Sequence, residues 1–285
     1  MRFQASHRTL YRYSERVYLE PHAIRLRPRS DSWQRLERYS IAVEPAPSLL
    51  TETVDAEGND VAYAWFLEPT DFVSVRTEFE VETLRENPFD YVTLGEGVTR
   101  LPLEYPHDTR ESLSTALKVS DADRTAVREF MRPIADKGLD QPIPFLAALN
   151  EEIHRRFDVA VREHGRPLEP ERTLQAKQVA CRDMAVLFMA CCRTAGIAAR
   201  FVSGYQEPAK SSERRYMHAW VEVYIPGGGW RGYDPTQGLS VSNRHVAVAA
   251  SADPRRASPI RGSFRGEAAA RPITVEIAIQ SGAVR

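Results

Sequence analysis

The sequence predicts an α+β chain: an N-terminal antiparallel β domain, then a core in which a cysteine-bearing helix packs on an antiparallel sheet. Three observations predict it. Short runs of alternating apolar and polar residues fill about the first ninety positions. A strongly apolar helical stretch over 180–195 is followed by strand-like runs over 199–205, 216–225 and 229–233. Near the end, Ile273, Val275, Ile277 and Ile279 alternate again and predict one more strand.

The first region, residues 1–90, alternates through Tyr11, Tyr13, Val17 and Leu19, then at Ile24–Arg27, Tyr39–Val43, Val61–Phe66 and Phe72–Val75. Glu57-Gly58-Asn59-Asp60 is a turn signal, and Pro45 and Pro47 mark another boundary. Residues 91–118 are rich in Pro, Gly and charge and read as a connection. The core is expected over 119–250. Ser120 or Asp121 can cap a helix through Met131, with Pro133 expected to end it. Phe145, Leu146, Leu149, Ile153 and Phe157 share one helical face. The next helix, 180–195, is stopped by Gly196. Pro226-Gly227-Gly228-Gly229 turns the chain between two strands, which makes them antiparallel neighbours. Residues 251–285 are expected as a C-terminal tail holding the final strand.

Composition excludes several classes of function. The chain has 285 residues, 42% of them hydrophobic, enough to fill real cores. With 38 basic and 39 acidic side chains and no basic stripe interleaved with aromatics, nucleic acid is not an expected partner. No stretch approaches the apolar length of a membrane span, and the start, Met1 to Arg8, lacks the apolar core of a secretory signal. Cys181 and the adjacent Cys191 and Cys192 do not form a disulfide framework, so reduced thiols and a cytoplasmic location are expected.

Of the three cysteines, Cys181 alone lies at a predicted helix start. Unpaired backbone N–H groups and the positive end of the helix dipole favour a thiolate there. The N–H of Cys181 itself is a natural oxyanion donor. Cys191 and Cys192 fall deep in the helix and read as small buried hydrophobes. His218 sits mid-strand, on the face opposite Ala219, Val221, Val223 and Ile225, with Trp220 beside it. Asp234 closes the following strand, and Pro235 stops it. A thiolate that attacks a carbonyl, an imidazole that moves the proton and a carboxylate that holds the imidazole make a Cys-His-Asp triad. Each residue alone is ordinary; the order helix start, strand, adjacent strand end points to chemistry. Gln175 and Gln178, both upstream of Cys181, are candidates for a further oxyanion donor. Tyr205, Trp220 and Glu222 are candidates to line a cleft, with pairing inside the sheet an equal reading for Glu222. One thiol, one imidazole and one carboxylate without Cys-x-x-Cys or paired-His spacing give no metal site, and no acidic loop has calcium-ligand spacing. No cofactor is expected.

Cys181-Arg182-Asp183-Met184-Ala185, Arg193 through Tyr205, His218-Ala219-Trp220-Val221-Glu222-Val223 and Trp230 through Thr236 together resemble the bacterial transglutaminase-like superfamily. Its fold and triad are similar to those of papain-type cysteine proteases. Tyr11-Arg12-Tyr13, His22, Leu26-Arg27-Pro28 and Gly58-Asn59 resemble the β domain that precedes such cores, and Pro259 through Phe264 the tail after them. The resemblance implies a papain-like, transglutaminase-like core acting on an amide bond of a peptide or protein through a Cys181 thioester. Resolution by water would make a peptidase or amidase, and resolution by an amine a transglutaminase-like acyltransferase. The alternative is a catalytically idle module that holds a peptide in the same cleft. One departure stands out: Val179 occupies a position where the family commonly has Gly, and it is expected to reshape the cleft mouth.

Overall fold

The computed structural model describes residues 1–93, 99–120, 124–163, 165–207 and 215–283. Strands β1 (Arg2–Leu19), β2 (His22–Ile24), β3 (Gln34–Glu44), β4 (Leu49–Val54), β5 (Asp60–Trp65) and β6 (Thr70–Thr83) build the N-terminal region. Helices α1 (His107–Ser112), α2 (Arg124–Ala135) and α3 (Pro142–Arg156) follow, then β7 (Asp158–Val159), α4 (Pro170–Gln175), β8 (Gln178–Val179) and α5 (Cys181–Thr194). The core sheet is made by β9 (Ala199–Gln206), β10 (His218–Ile225), β11 (Gly229–Asp234), β12 (Leu239–Ser240) and β13 (His245–Ser251). Last come β14 (Ile260–Arg261), β15 (Phe264–Arg265) and β16 (Thr274–Gly282). Among the described residues no helix is long and apolar enough to cross a membrane.

The predicted α+β class is the observed one. Among the described residues, antiparallel sheets run in the orders β15-β1-β6-β3 with β16 also on β1, β14-β2-β5-β4, and β12-β11-β10-β9-β13. The tail therefore returns to the N-terminal sheets: Arg2 of β1 faces Gly282 of β16, and Leu10 faces Thr274. In the connection, Leu103, Tyr105, Leu113 and Ala116 are buried in the same cluster as α5. The position of Asp121, one of the two proposed caps of α2, lies outside the described residues. Pro133 does not end that helix but sits inside it. So close to the C-terminus its missing N–H costs one bond, and the buried Ile134, packed with Val127 and Phe130, holds the last turn in place.

Helix α5 is the spine of the core. Met184, Leu187, Phe188 and Met189 are buried against Ala219, Val221, Val223 and Ile225, the apolar face of β10. Gly196 stops the helix as expected, with φ +78°, the Gly196 N–H on the Arg193 carbonyl and the Ile197 N–H on Cys192. A Cβ there would meet Pro102 Cβ at 2.5 Å, so neither the turn nor the neighbouring chain admits a side chain.

Two buried amides join the N-terminal region to the core. Edge strand β13 would otherwise present unpaired backbone groups. Gln34 Nε2 donates to the Ala247 carbonyl at 2.8 Å and its Oε1 accepts the Ala247 N–H at 2.7 Å. Asn59 does the same for Ala250, at 2.9 and 2.7 Å. Each amide mimics a strand neighbour, which satisfies the edge and fixes where β13 lies.

Candidate active site

The start of α5 is built before its chemistry. Short parallel strands β7 and β8 pair Val159 with Val179, and the chain leaves β8 extended at Ala180 (φ −87°, ψ 160°) to begin the helix at Cys181. Asp183, in the first turn, is fully buried. Its carboxylate accepts the Ala180 N–H at 2.9 Å, the Leu168 N–H at 2.8 Å and both arms of the Arg162 guanidinium at 2.8 and 2.7 Å. A charged, bidentate pair of this kind fixes geometry, so the helix start and the preceding loop move as one piece.

Cys181, first residue of α5, is only partly buried, whereas Cys191 and Cys192 are wholly enclosed. Burial pushes all three thiols up, and for Cys191 and Cys192 it prevails. For Cys181 it is overcome by the hydrogen bond and charge of His218, the Ala219 N–H and the charge of Arg182, so this thiol is held below its ordinary value. His218 opens β10 and is buried. Its Nε2 lies 2.7 Å from Asp234 Oδ2, which leaves Nδ1 as the nitrogen for Cys181. Burial disfavours the charged ring, but Asp234 and Cys181 outweigh it and raise the His218 pKa to about 10. Asp234 ends β11 with no exposure. Its Oδ1 accepts the N–H groups of Thr236 and Gln237 at 3.0 and 3.3 Å. Burial opposes its charge, yet His218 and His245 hold the carboxyl well below the usual carboxylate range.

Cys181, His218 and Asp234 therefore meet as one hydrogen-bonded chain. The other candidates lie elsewhere. Gln175 and Gln178, at the end of α4 and in β8, are both exposed. Tyr205 lines no cleft: it is buried where the core sheet meets β1 and β6, with its hydroxyl 2.7 Å from His7 Nδ1. Trp220 is buried too, packed with Val202, Ala247 and Ala250, so the open face expected beside His218 is a second packed layer. Alternation along β10 puts Trp220 on the same face as His218, but Ala247 and Ala250 of β13 close over it, a contact no local pattern reveals. Val179 points into the core, 1% exposed, and Gln178 is the residue of the two-residue β8 that faces out. Glu222 is paired, its carboxylate held between Arg29 and Arg200.

Gly204 explains how Trp220 fits beside the histidine. It is the cross-strand partner of His218, and a Cβ there would meet the Val246 carbonyl at 2.2 Å and the Trp220 ring at 2.5 Å. Gly204→Ala is expected to destabilise the fold by about 1–3 kcal/mol through overpacking. Urea unfolding checks it; an unchanged midpoint would contradict the close approach.

His245 was not singled out in the sequence, where a lone histidine ahead of an Ala- and Val-rich strand carries no chemical signal. Asp183 and Arg162 were also missed, although an acidic residue at the third position of a helix that starts without a side-chain cap is a readable signal. The ligand atoms of His218, Asp234 and His245 all lie within 4.8 Å of one another, the group among the described residues with the makings of a metal site. Their hydrogen bonds argue for another use. A metal-bound histidine ordinarily donates its second ring nitrogen to an acceptor, but His245 Nδ1 is buried with no hydrogen-bond partner.

Residues 3–82 match the family model of the bacterial transglutaminase-like N-terminal region, and residues 129–235 that of the transglutaminase-like superfamily. An uncharacterized protein of Mycobacterium tuberculosis is 27% identical over 274 residues, 92% of this chain and 87% of its own length. One from Mycobacterium leprae is 34% identical over 95 residues, 31% of this chain and 33% of its own. A "putative cysteine protease" solved from Cytophaga hutchinsonii shares the fold, with a TM-score of 0.75 at 20% identity over 100% of this chain and 92% of that one. Residues 129–235 are thus a transglutaminase-like superfamily domain, preceded over residues 3–82 by a bacterial transglutaminase-like N-terminal region.

Proposed function

We propose that the protein is a thiol-dependent amide-bond hydrolase or acyltransferase whose catalytic triad is Cys181, His218 and Asp234. The observation that carries this reading is the contact between Cys181 and a His218 ring that Asp234 holds at 2.7 Å. A depressed thiol beside a raised imidazole favours the thiolate–imidazolium pair at neutral pH. The thiolate adds to the amide carbonyl of a peptide or protein, and the oxyanion develops at the first turn of α5, where the Cys181 N–H is the donor at hand. As the C–N bond breaks, the His218 Nδ1 proton passes to the leaving amine and a Cys181 thioester remains. His218, now neutral, takes a proton from the incoming water or amine, and the acyl group leaves Cys181 as an acid or a new amide. Asp234 keeps its proton-free state throughout and fixes which nitrogen of His218 faces the sulfur. Water is the acceptor always present, so hydrolysis is the default outcome and transfer requires a selected amine. A working thiolate must stay reduced, which suits the cytoplasm.

Because the leaving amine needs the imidazolium proton, turnover is expected to fall as pH rises through about 10, where His218 loses it. Trapping tests the thioester directly. On brief exposure to p-nitrophenyl acetate, mass spectrometry is expected to find the acetyl group on Cys181. Asp234→Asn should form that adduct at least about a hundredfold more slowly, since the imidazole is misoriented but present. Adding glycinamide separates transfer from hydrolysis by the fate of the acetyl group. An adduct that avoids Cys181, or one that forms equally fast in Asp234→Asn, would overturn the triad.

A further inference from the structure

The triad carboxylate serves a second imidazole. His245 opens β13, whose start is held by the Glu207 N–H on the Arg244 carbonyl and by pairing of His245 with Gln206. The residue is 8% exposed, and its ring stands edge-on to Trp220, centroids 5.2 Å apart and planes at 67°. His245 Nε2 lies 3.1 Å from Asp234 Oδ2, the oxygen that already takes His218 Nε2 at 2.7 Å. The opposite oxygen, Oδ1, takes two backbone N–H groups. An ionised carboxylate offers about four acceptor sites, and here all are used. Because Asp234 is an acceptor only, Nε2 of His245 must carry a proton, whatever the state of its unpartnered Nδ1.

Resting on the proposed triad, we infer that His245 is a positioning residue. Its Nε2–H donates to Asp234 Oδ2 and locks the carboxylate plane, so that His218 presents Nδ1 to Cys181. The geometry explains why such a lock is needed. Thr236 and Gln237 hold Oδ1 from the loop that follows Asp234, so without His245 rotation of Oδ2 would be opposed by His218 alone. His218 is the ring that must change charge during turnover, so its hold on Oδ2 weakens whenever it gives up its proton. His245 does not face Cys181 and takes no proton from substrate; its hold is constant through the cycle. The charged and titratable groups that face one another here are His218 from β10, Asp234 from β11 and His245 from β13. Cys181 is faced by His218 and by Arg182 of its own helix.

The test compares His245→Gln, whose side-chain amide can donate from nearly the place of Nε2, with His245→Leu, which keeps bulk against Trp220 but donates nothing. The probe is limiting iodoacetamide, with Cys181 labelling followed by mass spectrometry across pH in the full chain. His245→Leu is expected to raise the thiolate midpoint by about one unit and so slow labelling about tenfold below it. His245→Gln is expected to stay within about twofold of the unaltered protein. Should His245→Leu not fold, His245→Asn replaces it, because its shorter amide falls short of Asp234. An unchanged midpoint in the variants lacking the donor would overturn the inference, as would equal loss with and without it, which marks simple packing. The wild-type profile separates this from the triad itself. If Cys181 labelling depends on His218 but not on residue 245, only the positioning role falls. If it depends on neither, the Cys181–His218 reading falls first.

Discussion

Cys181→Ala is expected to abolish turnover of an activated ester or peptide amide, a loss of at least about 10⁴-fold, while the protein remains folded. The size follows from the mechanism: without sulfur there is no covalent intermediate, and what remains is the first-turn backbone of α5 and substrate binding. The stability should barely move. Cys181 sits at the partly exposed end of its helix, and Asp183, not the thiol, ties the helix start to Ala180, Leu168 and Arg162. His218→Ala should cost activity on a similar scale, since members of one catalytic unit are not additive. It should cost stability as well, because Asp234 would stay buried with His245 as its one imidazole partner. Activity is read with an anilide or ester substrate and folding by the urea midpoint. Residual turnover in Cys181→Ala close to that of the unaltered protein would remove the thiol from the mechanism.

Glu222→Gln is expected to be the most damaging single change to stability away from the triad, about 3–5 kcal/mol. The Glu222 carboxylate lies between two guanidiniums from different parts of the chain. Arg29, between β2 and β3, donates at 2.6 Å, and Arg200 of β9 donates through Nε at 2.7 Å while stacking 4.1 Å from the Trp230 ring. All three side chains are largely buried. Replacing the anion leaves two cations facing each other where water cannot screen them. The same group gives a pH signature. Burial opposes the Glu222 charge, but Arg29 and Arg200 hold its pKa down at about 2 from an ordinary 4.5. A depressed carboxylate stabilises the fold above its unfolded value and loses that contribution as pH falls through the folded one. About 3 kcal/mol should therefore disappear between pH 4.5 and about 2 in the unaltered protein, and that component should be missing in Glu222→Gln. Urea unfolding at pH 7 and at about pH 2 measures both effects. A change below about 1 kcal/mol at pH 7 would mean the cluster is exposed and weak.

The parts legible in the sequence are those set by local periodicity. The apolar face of β10, the helix from Cys181 to Thr194, its stop at Gly196 and the turn before β11 all follow from spacing and turn chemistry within a few residues. The meeting of Cys181 with His218 was readable because a helix start and a strand carried the two groups in distinctive surroundings. What stayed hidden is what distant segments impose. Gln34 and Ala247 are 213 positions apart, Asn59 and Ala250 191, Arg29 and Glu222 193, and no periodicity links them. The same holds for burial: Phe3, Ala5, Phe79 and Val81 enclose Tyr205, and Val202, Ala247 and Ala250 enclose Trp220, so both are core residues and not a cleft lining. Strand β4 was hidden for the opposite reason. All six of its residues are exposed, so burial left no alternation to read, and it exists by pairing with β5. His245 combines both difficulties: a lone side chain with no local motif, given meaning only by Asp234 on another strand.

The proposed chemistry depends on an activated thiolate held by His218, and labelling by limiting iodoacetamide from about pH 5 to about pH 9 tests for it without a known substrate. Cys181 is expected to react fast and selectively well below the ordinary thiol midpoint of about 8.5, with Cys191 and Cys192 untouched, and His218→Ala should return it to an ordinary profile. Slow labelling of Cys181 with a midpoint near 8.5 in both proteins would contradict it.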